Sequence, residues 1–363
     1  MSTVFVTGFP GFLGSELLPR LLARSADTSA VCLVQPRWAG LARERLAALQ
    51  LAEPRLRDRV RLVEGDIVLP DLGLGRERRR LADRITEIHH LAAIYDLAVP
   101  REVGLHVNRN GTRHVLALAR EAPRLRRLHY VSTCYVSGRH AGIFREEDLE
   151  KGQAFNNFYE ETKYLAEVAV REAMDGGLPV TVYRPSIVAG DAATGATQKL
   201  DGPYWIVRYL LRQPPVALLP LVGDPAASRL NVVPRDFVVA AIAHLSALPH
   251  AAGRTYQLAD PDPPTVAEAV AALAAEAGRR LVTVRVPRKA AKAALRRVPG
   301  LRLLTGFPAE ALDYFDHPTH YAVDAARTDL AGTGISVPPF ARRAGPLVRW
   351  TREHRRTRSR PMA

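Results

Sequence analysis

A tyrosine and a lysine four residues apart, in Tyr159-Glu160-Glu161-Thr162-Lys163, can carry out proton chemistry if a helix holds both on one face. A free phenol has a pKa of about 10, and bringing it near 7 takes roughly 4 kcal/mol of differential stabilisation. One ammonium about 4–5 Å away, at an effective dielectric near 20, supplies about 3–4 kcal/mol. The charge of an oxidised nicotinamide would add the rest. Only five of the 51 basic residues are lysine, which makes Lys163 conspicuous. A compact ammonium, unlike a guanidinium, can approach a phenol and bond ribose hydroxyls in a narrow site. The same spacing also suits an exposed helical pair. A third group favours chemistry: Val131-Ser132-Thr133-Cys134-Tyr135 follows a strand-like run, and Thr133 could donate to a carbonyl oxygen that turns negative as hydride arrives. Thr133, Tyr159 and Lys163 are the catalytic candidates.

Hydride needs a carrier, and the N-terminus offers a place for one. The loop Gly8-Phe9-Pro10-Gly11-Phe12-Leu13-Gly14 follows an apolar strand and opens a helix, the context in which a glycine pattern signals dinucleotide binding. Gly8 permits the turn, Gly11 lets backbone approach a pyrophosphate, and Gly14 lets helix pack on strand, with the helix N-terminus facing the phosphates. NAD sites place a carboxylate about 20 residues further on to hold the ribose. Here the second strand ends Val34-Gln35-Pro36-Arg37, and Arg37, with Arg43 behind it, can pair with a 2′-phosphate. The cofactor expected is therefore NADPH rather than NADH, unless Arg37 is one more surface arginine. Asp66 and Ile67 would bound the adenine, and Leu91, Ala92 and Ala93 supply small residues along the cofactor's path. Asn108 either holds Lys163 through water or makes a structural helix contact. His89 and His90 read as packing or surface residues with no partner at metal spacing, and no metal is expected.

The elements needed to position these groups are legible. Strands are expected at Val4–Thr7, Ala30–Val34, Val60–Glu64, Glu87–Leu91, Arg127–Ser132 and Val180–Arg184, and helices at Leu13–Ser25, Trp38–Gln50, Val103–Glu121 and Tyr159–Asp175. Pro19 should cost the first helix a bond and bend it, and basic Arg76–Asp83 should be a solvated face. This alternation predicts an α/β doubly wound parallel sheet with a smaller C-terminal substrate-binding region. The dinucleotide-binding domain is placed at 1–190, continued by segments within 225–260. Residues 191–350 mainly form the substrate region, with Asn231–Leu245, a strand Thr255–Leu258, a helix Val266–Ala277 and a strand Leu281–Val286. A basic tail at 351–363 ends the chain.

The 363 residues allow one large and one smaller domain. A net charge of +14 suits anionic ligands, while no zinc spacing, RNA motif or basic zipper supports nucleic acid as a partner. Cys32 and Cys134 both fall in runs that read as buried strands, so a reducing compartment is expected. With no signal peptide or spanning segment in the sequence, the expected location is cytoplasmic. The stretch Tyr204–Val222, rich in Trp205, Ile206, Leu210 and Leu211, could line an acyl pocket, dip into a membrane interface with Arg208 and Arg212 at headgroups, or pack in the core.

Together, Thr7-Gly8-x-x-Gly11-x-x-Gly14, Tyr159-x-x-x-Lys163 and Asn231-Val232-Val233-Pro234 resemble the extended short-chain dehydrogenase/reductase family, over about residues 3 to 245. Within it, Val131–Val136, Tyr159–Lys163 and Arg184-Pro185-Ser186-Ile187-Val188 look most like fatty acyl-CoA reductases and the thioester-reductase domains of carboxylic acid reductases. The resemblance implies a Rossmann fold and hydride transfer from NADPH to an acyl thioester or aldehyde. Thr133 and Tyr159 would bind and protonate the oxygen, Lys163 would tune Tyr159 and hold the ribose, and Pro185, Ile187 and Val188 would border the nicotinamide. The substrate would be an apolar carbonyl compound or acyl thioester delivered from elsewhere, and a homodimer is the expected assembly by analogy. Competing readings are a ketone or hydroxysteroid-type reductase, a nucleotide-sugar epimerase, and a non-catalytic NADP-binding regulator.

Overall fold

The structure is a computed structural model that describes residues 2–298 and 307–354. The strands, in chain order, are β1 (Ser2–Thr7), β2 (Thr28–Val34), β3 (Val60–Glu64), β4 (Glu87–His90), β5 (Arg127–Val131), β6 (Gly142–Phe144), β7 (Val180–Pro185), β8 (Ile187–Ala189), β9 (Val216–Leu221), β10 (Val232–Pro234), β11 (Thr255–Leu258), β12 (Arg280–Arg285) and β13 (Thr319–Tyr321). Seven of them form one sheet in the order β11-β7-β5-β4-β1-β2-β3, every pair parallel. The chain builds outward from β1 to β3, then returns to the other side of β1 at β4. That reversal opens a crevice at the carboxyl ends of β1 and β4, where ligands of such sheets bind.

Alternation along β1 explains why both faces are covered. Val4 and Val6 pack with Leu17, Leu18 and Leu21 of the Gly14–Leu22 helix and Ile242 of the Arg235–Leu245 helix. Phe5 points the other way, into Val115, Leu118, Ala166 and Val170 of the Gly111–Glu121 and Phe158–Asp175 helices. The second region has its own core, in which Tyr204, Val207 and Leu210 meet Leu219, Val270, Leu273 and Leu347 around the parallel pair β9 and β12.

Several expectations are corrected. The first helix spans Gly14–Leu22, shorter than the expected Leu13–Ser25, and holds Pro19 inside it at the cost of the backbone bond its missing N–H would make. The expected Val103–Glu121 helix begins at Arg101 and carries a π-helical stretch at Leu105–Asn110. The basic Arg76–Asp83 segment holds a short helix, Glu77–Ala82, that buries Leu81 and Ala82. Cys134 is buried in a 3₁₀ turn after β5 rather than in a strand. Strand β11 joins the main sheet beside β7 rather than the second region. The final helix, Phe340–Glu353, takes in Thr351 to Glu353, and the rest of the expected tail, 355–363, lies outside the described residues. Most of the Tyr204–Val222 stretch packs inward, with Val216 and Leu218 left about half exposed. No helix among the described residues is long and apolar enough to cross a membrane.

Candidate active site

The carboxyl ends of the central strands open into a cavity of about 270 Å³. It is lined by Thr133, Tyr159 and Lys163, by Gly8, Phe9, Gly11, Phe12, Leu13 and Gly14, by Asp66 and Ile67, by Leu91, Ala92 and Ala93, and by Pro185, Ile187 and Val188. Two candidates fall outside the lining: Pro10 is buried beneath the loop, and Arg37 is exposed at the rim.

The glycine loop is tight for a readable reason. Gly8 has φ +92°, and a Cβ on Gly11 or Gly14 would stand 2.6 or 2.5 Å from the Gly8 carbonyl oxygen. Side chains there would push the backbone apart and close the approach that a pyrophosphate needs. At the end of β2, Arg37 Nε donates to Gln35 Oε1 at 2.9 Å, and Gln35 Nε2 donates to Asp66 Oδ2 at 2.8 Å. Gln35 lines the cavity where a ribose-binding carboxylate was sought, with Arg37 attached behind it.

The Phe158–Asp175 helix starts where the Asn157 side chain accepts the Glu160 N–H at 3.0 Å. Tyr159 therefore lies in the first turn and Lys163 in the next, 7% and 3% exposed. Lys163 Nζ donates to the Tyr130 hydroxyl and to the Val131 carbonyl, both at 2.8 Å. It also lies 4.4 Å from the Tyr130 ring centre. This corrects the expectation that the ammonium acidifies the neighbouring phenol. Burial pushes Lys163 down to about 7. Burial likewise raises Tyr159 above the ordinary phenol value, with Glu160 and Asp201 adding to it and the neighbouring Thr133 hydroxyl only partly opposing it. The site holds a protonated phenol. Thr133 donates to the Pro185 carbonyl at 3.3 Å and accepts from Tyr135 N at 3.3 Å, long bonds that leave the hydroxyl able to turn toward an incoming oxygen.

Asn108 makes the structural contact. It accepts from Ile94 N at 2.9 Å and donates to Thr162 at 3.0 Å, tying the loop after β4 to the Phe158–Asp175 helix. Tyr130 was missed because nothing in sequence tells an alternating strand tyrosine from a core one. Tyr95, Lys199 and Asp201 were missed too. Lys199 Nζ sits 4.1 Å from the Tyr95 ring centre, and that ring meets Tyr159 edge-on at 4.9 Å. The scarcity of lysine that singled out Lys163 would have found Lys199.

A buried brace sits under Thr133. Ser132 donates to Glu167 at 2.5 Å, and Arg184, fully buried, donates to the same carboxylate at 2.6 Å and to the Asp148 carbonyl at 2.6 Å. Burial alone would raise Glu167, yet Arg184 and its hydrogen bonds outweigh that and hold it below the usual carboxylate range. Arg184→Met leaves that buried charge with only Arg171, at 3.6 Å, as a cation partner among the described residues, and is expected to cost about 3 kcal/mol in urea unfolding. The double variant Arg184→Met/Glu167→Leu should recover most of the loss.

Residues 6–242 match the family described as male sterility protein. A nonribosomal peptide synthetase of Cladobotryum, FrzA, is 30% identical over 272 residues, 71% of this chain, and the chain spans only 26% of that protein's length. The fatty acyl-CoA reductase wat of Drosophila melanogaster is 25% identical over 274 residues, 66% of this chain and 53% of its own length. Among solved structures, the terminal R domain of the myxalamid biosynthetic pathway superposes with a TM-score of 0.80 at 31% identity, covering 98% of this chain and 91% of that one.

Proposed function

The chain belongs to the male sterility protein family of NAD-binding domains, and on that footing we propose that it is an NADPH-dependent reductase of acyl thioesters or aldehydes. The observation that carries the reading is one cavity shared by the glycine loop and by Thr133, Tyr159 and Lys163. The loop fits a dinucleotide, since the space a Cβ would fill at Gly11 and Gly14 is kept open. Bound there, the cofactor supplies hydride to the substrate carbonyl carbon.

The chain's own residues do the rest. Thr133 donates to the carbonyl oxygen and fixes its orientation, where developing negative charge strengthens the bond. Tyr159, kept protonated by burial, gives its proton to that oxygen as it becomes an alkoxide. For a thioester this yields a hemithioacetal, which expels thiol to leave aldehyde. Lys163, fixed by Tyr130 and Val131, is placed to hold the ribose. The preference for NADPH rests on Gln35 in place of a carboxylate and on Arg37 tied to it, within side-chain reach of a 2′-phosphate.

The test is a panel of acyl-CoAs, aldehydes and ketones followed by absorbance with NADPH and NADH in parallel. Thioesters or aldehydes should consume NADPH, with kcat/KM about tenfold or more above NADH. Turnover of ketones alone would replace the substrate class, and no turnover on any carbonyl would remove the reductase reading.

A further inference from the structure

Beyond the catalytic cavity lies a second chamber, of about 200 Å³. The Pro203–Arg212 helix borders it through Tyr209, β9 through Leu219 and Leu221, and the Arg288–Arg297 helix through Ala291 and Leu295. Among the described residues of its lining, the one polar side-chain group is spoken for, because the Tyr209 hydroxyl donates to the Leu218 carbonyl at 2.8 Å. A polar ligand would find no side-chain partner among those residues, whereas an alkyl chain needs none.

One segment separates the two spaces. In the 3₁₀ stretch Ala309–Asp316, Ala311 and Tyr314 line the catalytic cavity, Leu312 lines the second chamber, and Phe315 lines both. The Arg288–Arg297 helix clamps this partition with its charged stripe. Lys292 pairs with Asp313 at 2.6 Å, Arg288 with Asp316 at 3.5 Å, and Arg296 with Glu310 at 3.1 Å. Residues 288, 292 and 296 recur at helical spacing, so Ala291 and Leu295 fall beside that stripe and line the chamber. The same helix thus secures the divider and supplies apolar wall behind it. Tyr314, on the catalytic side, packs edge-on against Tyr135 at 4.8 Å, and Tyr135 lines the cavity next to Thr133.

We propose that this chamber is the subsite for the distal apolar end of the substrate, with Phe315 as the divider that the chain passes. The assignment rests on the reductase reading for the position of the carbonyl beside Tyr159 and Thr133. It adds that the substrate is a long-chain acyl compound whose tail leaves the catalytic cavity, and that chain-length preference is set by Phe315, Leu312 and Ala291.

The experiment uses S-butyl-CoA and S-dodecyl-CoA, thioethers that lack a carbonyl, titrated calorimetrically into the whole protein with NADP⁺ present. The dodecyl compound should bind at least about 30-fold tighter, given the transfer free energy of each buried methylene. Ala291→Trp and Leu312→Trp, which fill the chamber from two different elements, should each bring that ratio to about threefold or less, with thermal melts confirming that both variants fold. Equal affinity for the two compounds in the unmodified protein, or an undiminished ratio in folded variants, overturns the proposal. Binding of thioethers does not depend on turnover. A protein that prefers the long chain but reduces nothing keeps the chamber and loses the reductase reading, while a reductase indifferent to length does the reverse.

Discussion

Replacing Tyr159 with phenylalanine is expected to lower kcat for carbonyl reduction about a thousandfold while NADPH affinity stays within about threefold. The change removes one oxygen from a side chain that is 7% exposed, so packing is kept and the proton donor is lost. Reduction needs the phenol in its neutral form, and burial with the nearby Glu160 and Asp201 carboxylates favours that form. The cofactor's phosphates, by contrast, would meet the glycine loop, which the substitution does not touch. Thr133→Ala should cost about a hundredfold, since it takes away a hydrogen bond that strengthens as charge develops but leaves the proton source. Stopped-flow measurement of a single turnover, together with a fluorescence titration of NADPH, separates the two effects. A Tyr159→Phe protein that keeps a tenth of its activity would make another group the donor, and the phenol a packing residue.

What could be read from the chain without its structure was the part that depends on local spacing. The glycine loop, the four-residue step from Tyr159 to Lys163 and the strand end at Thr133 each carry their meaning within a few residues, and the fold brings them to one cavity. Strand Thr255–Leu258 had the right boundaries but the wrong neighbourhood, because pairing with β7 across some seventy residues leaves no local trace. The Lys163 contact failed for a similar reason. Helical periodicity places lysine and tyrosine on one face, but the deciding partners, Tyr130 and Val131, come from the facing strand. The partition of Ala309–Asp316 and its basic clamp were invisible because 3₁₀ segments have no strong apolar period. His89 shows the same limit. It was expected to have no partner at metal spacing, yet Glu87 lies 3.6 Å away and parallel register sets His129 directly opposite, their rings stacked at 4.3 Å, so the three offer clustered ligand atoms.

That stack leads to a large effect of acid on stability. Burial lowers His89, further reduced by Arg24 and only partly countered by Glu87 at 3.6 Å, and it lowers His129 well below the ordinary value. Burial also takes His90 and His317 down to about 3. A histidine depressed in the native state is neutral in both states above its unfolded value of about 6.5, and contributes no slope there. Below that value the unfolded chain takes up the proton and the native ring does not, so each ring costs about 1.4 kcal/mol per pH unit down to its native pKa. Glu160 acts in the opposite sense: burial raises it to about 7, so between roughly pH 7 and 4.5 the native state is the better proton binder and gains stability on acidification. Three rings held well below 6.5, His90, His129 and His317, against one carboxyl leave a net loss of about 3 kcal/mol per pH unit, to which His89 adds in the same direction. Ordinary stabilities are about 5–15 kcal/mol, so at the lower end of that range unfolding should set in near about pH 4.5, and later for a more stable protein. Urea titrations at pH 7, 6 and 5 should show stability falling most steeply between pH 6 and 5. His129→Phe, which keeps a flat ring in the stack without a titrating nitrogen, should shallow the slope by about 1.4 kcal/mol per unit. A midpoint unchanged between pH 7 and 5 would mean that these rings take up protons in the folded state, and that the polar seam between β4 and β5 opens to water.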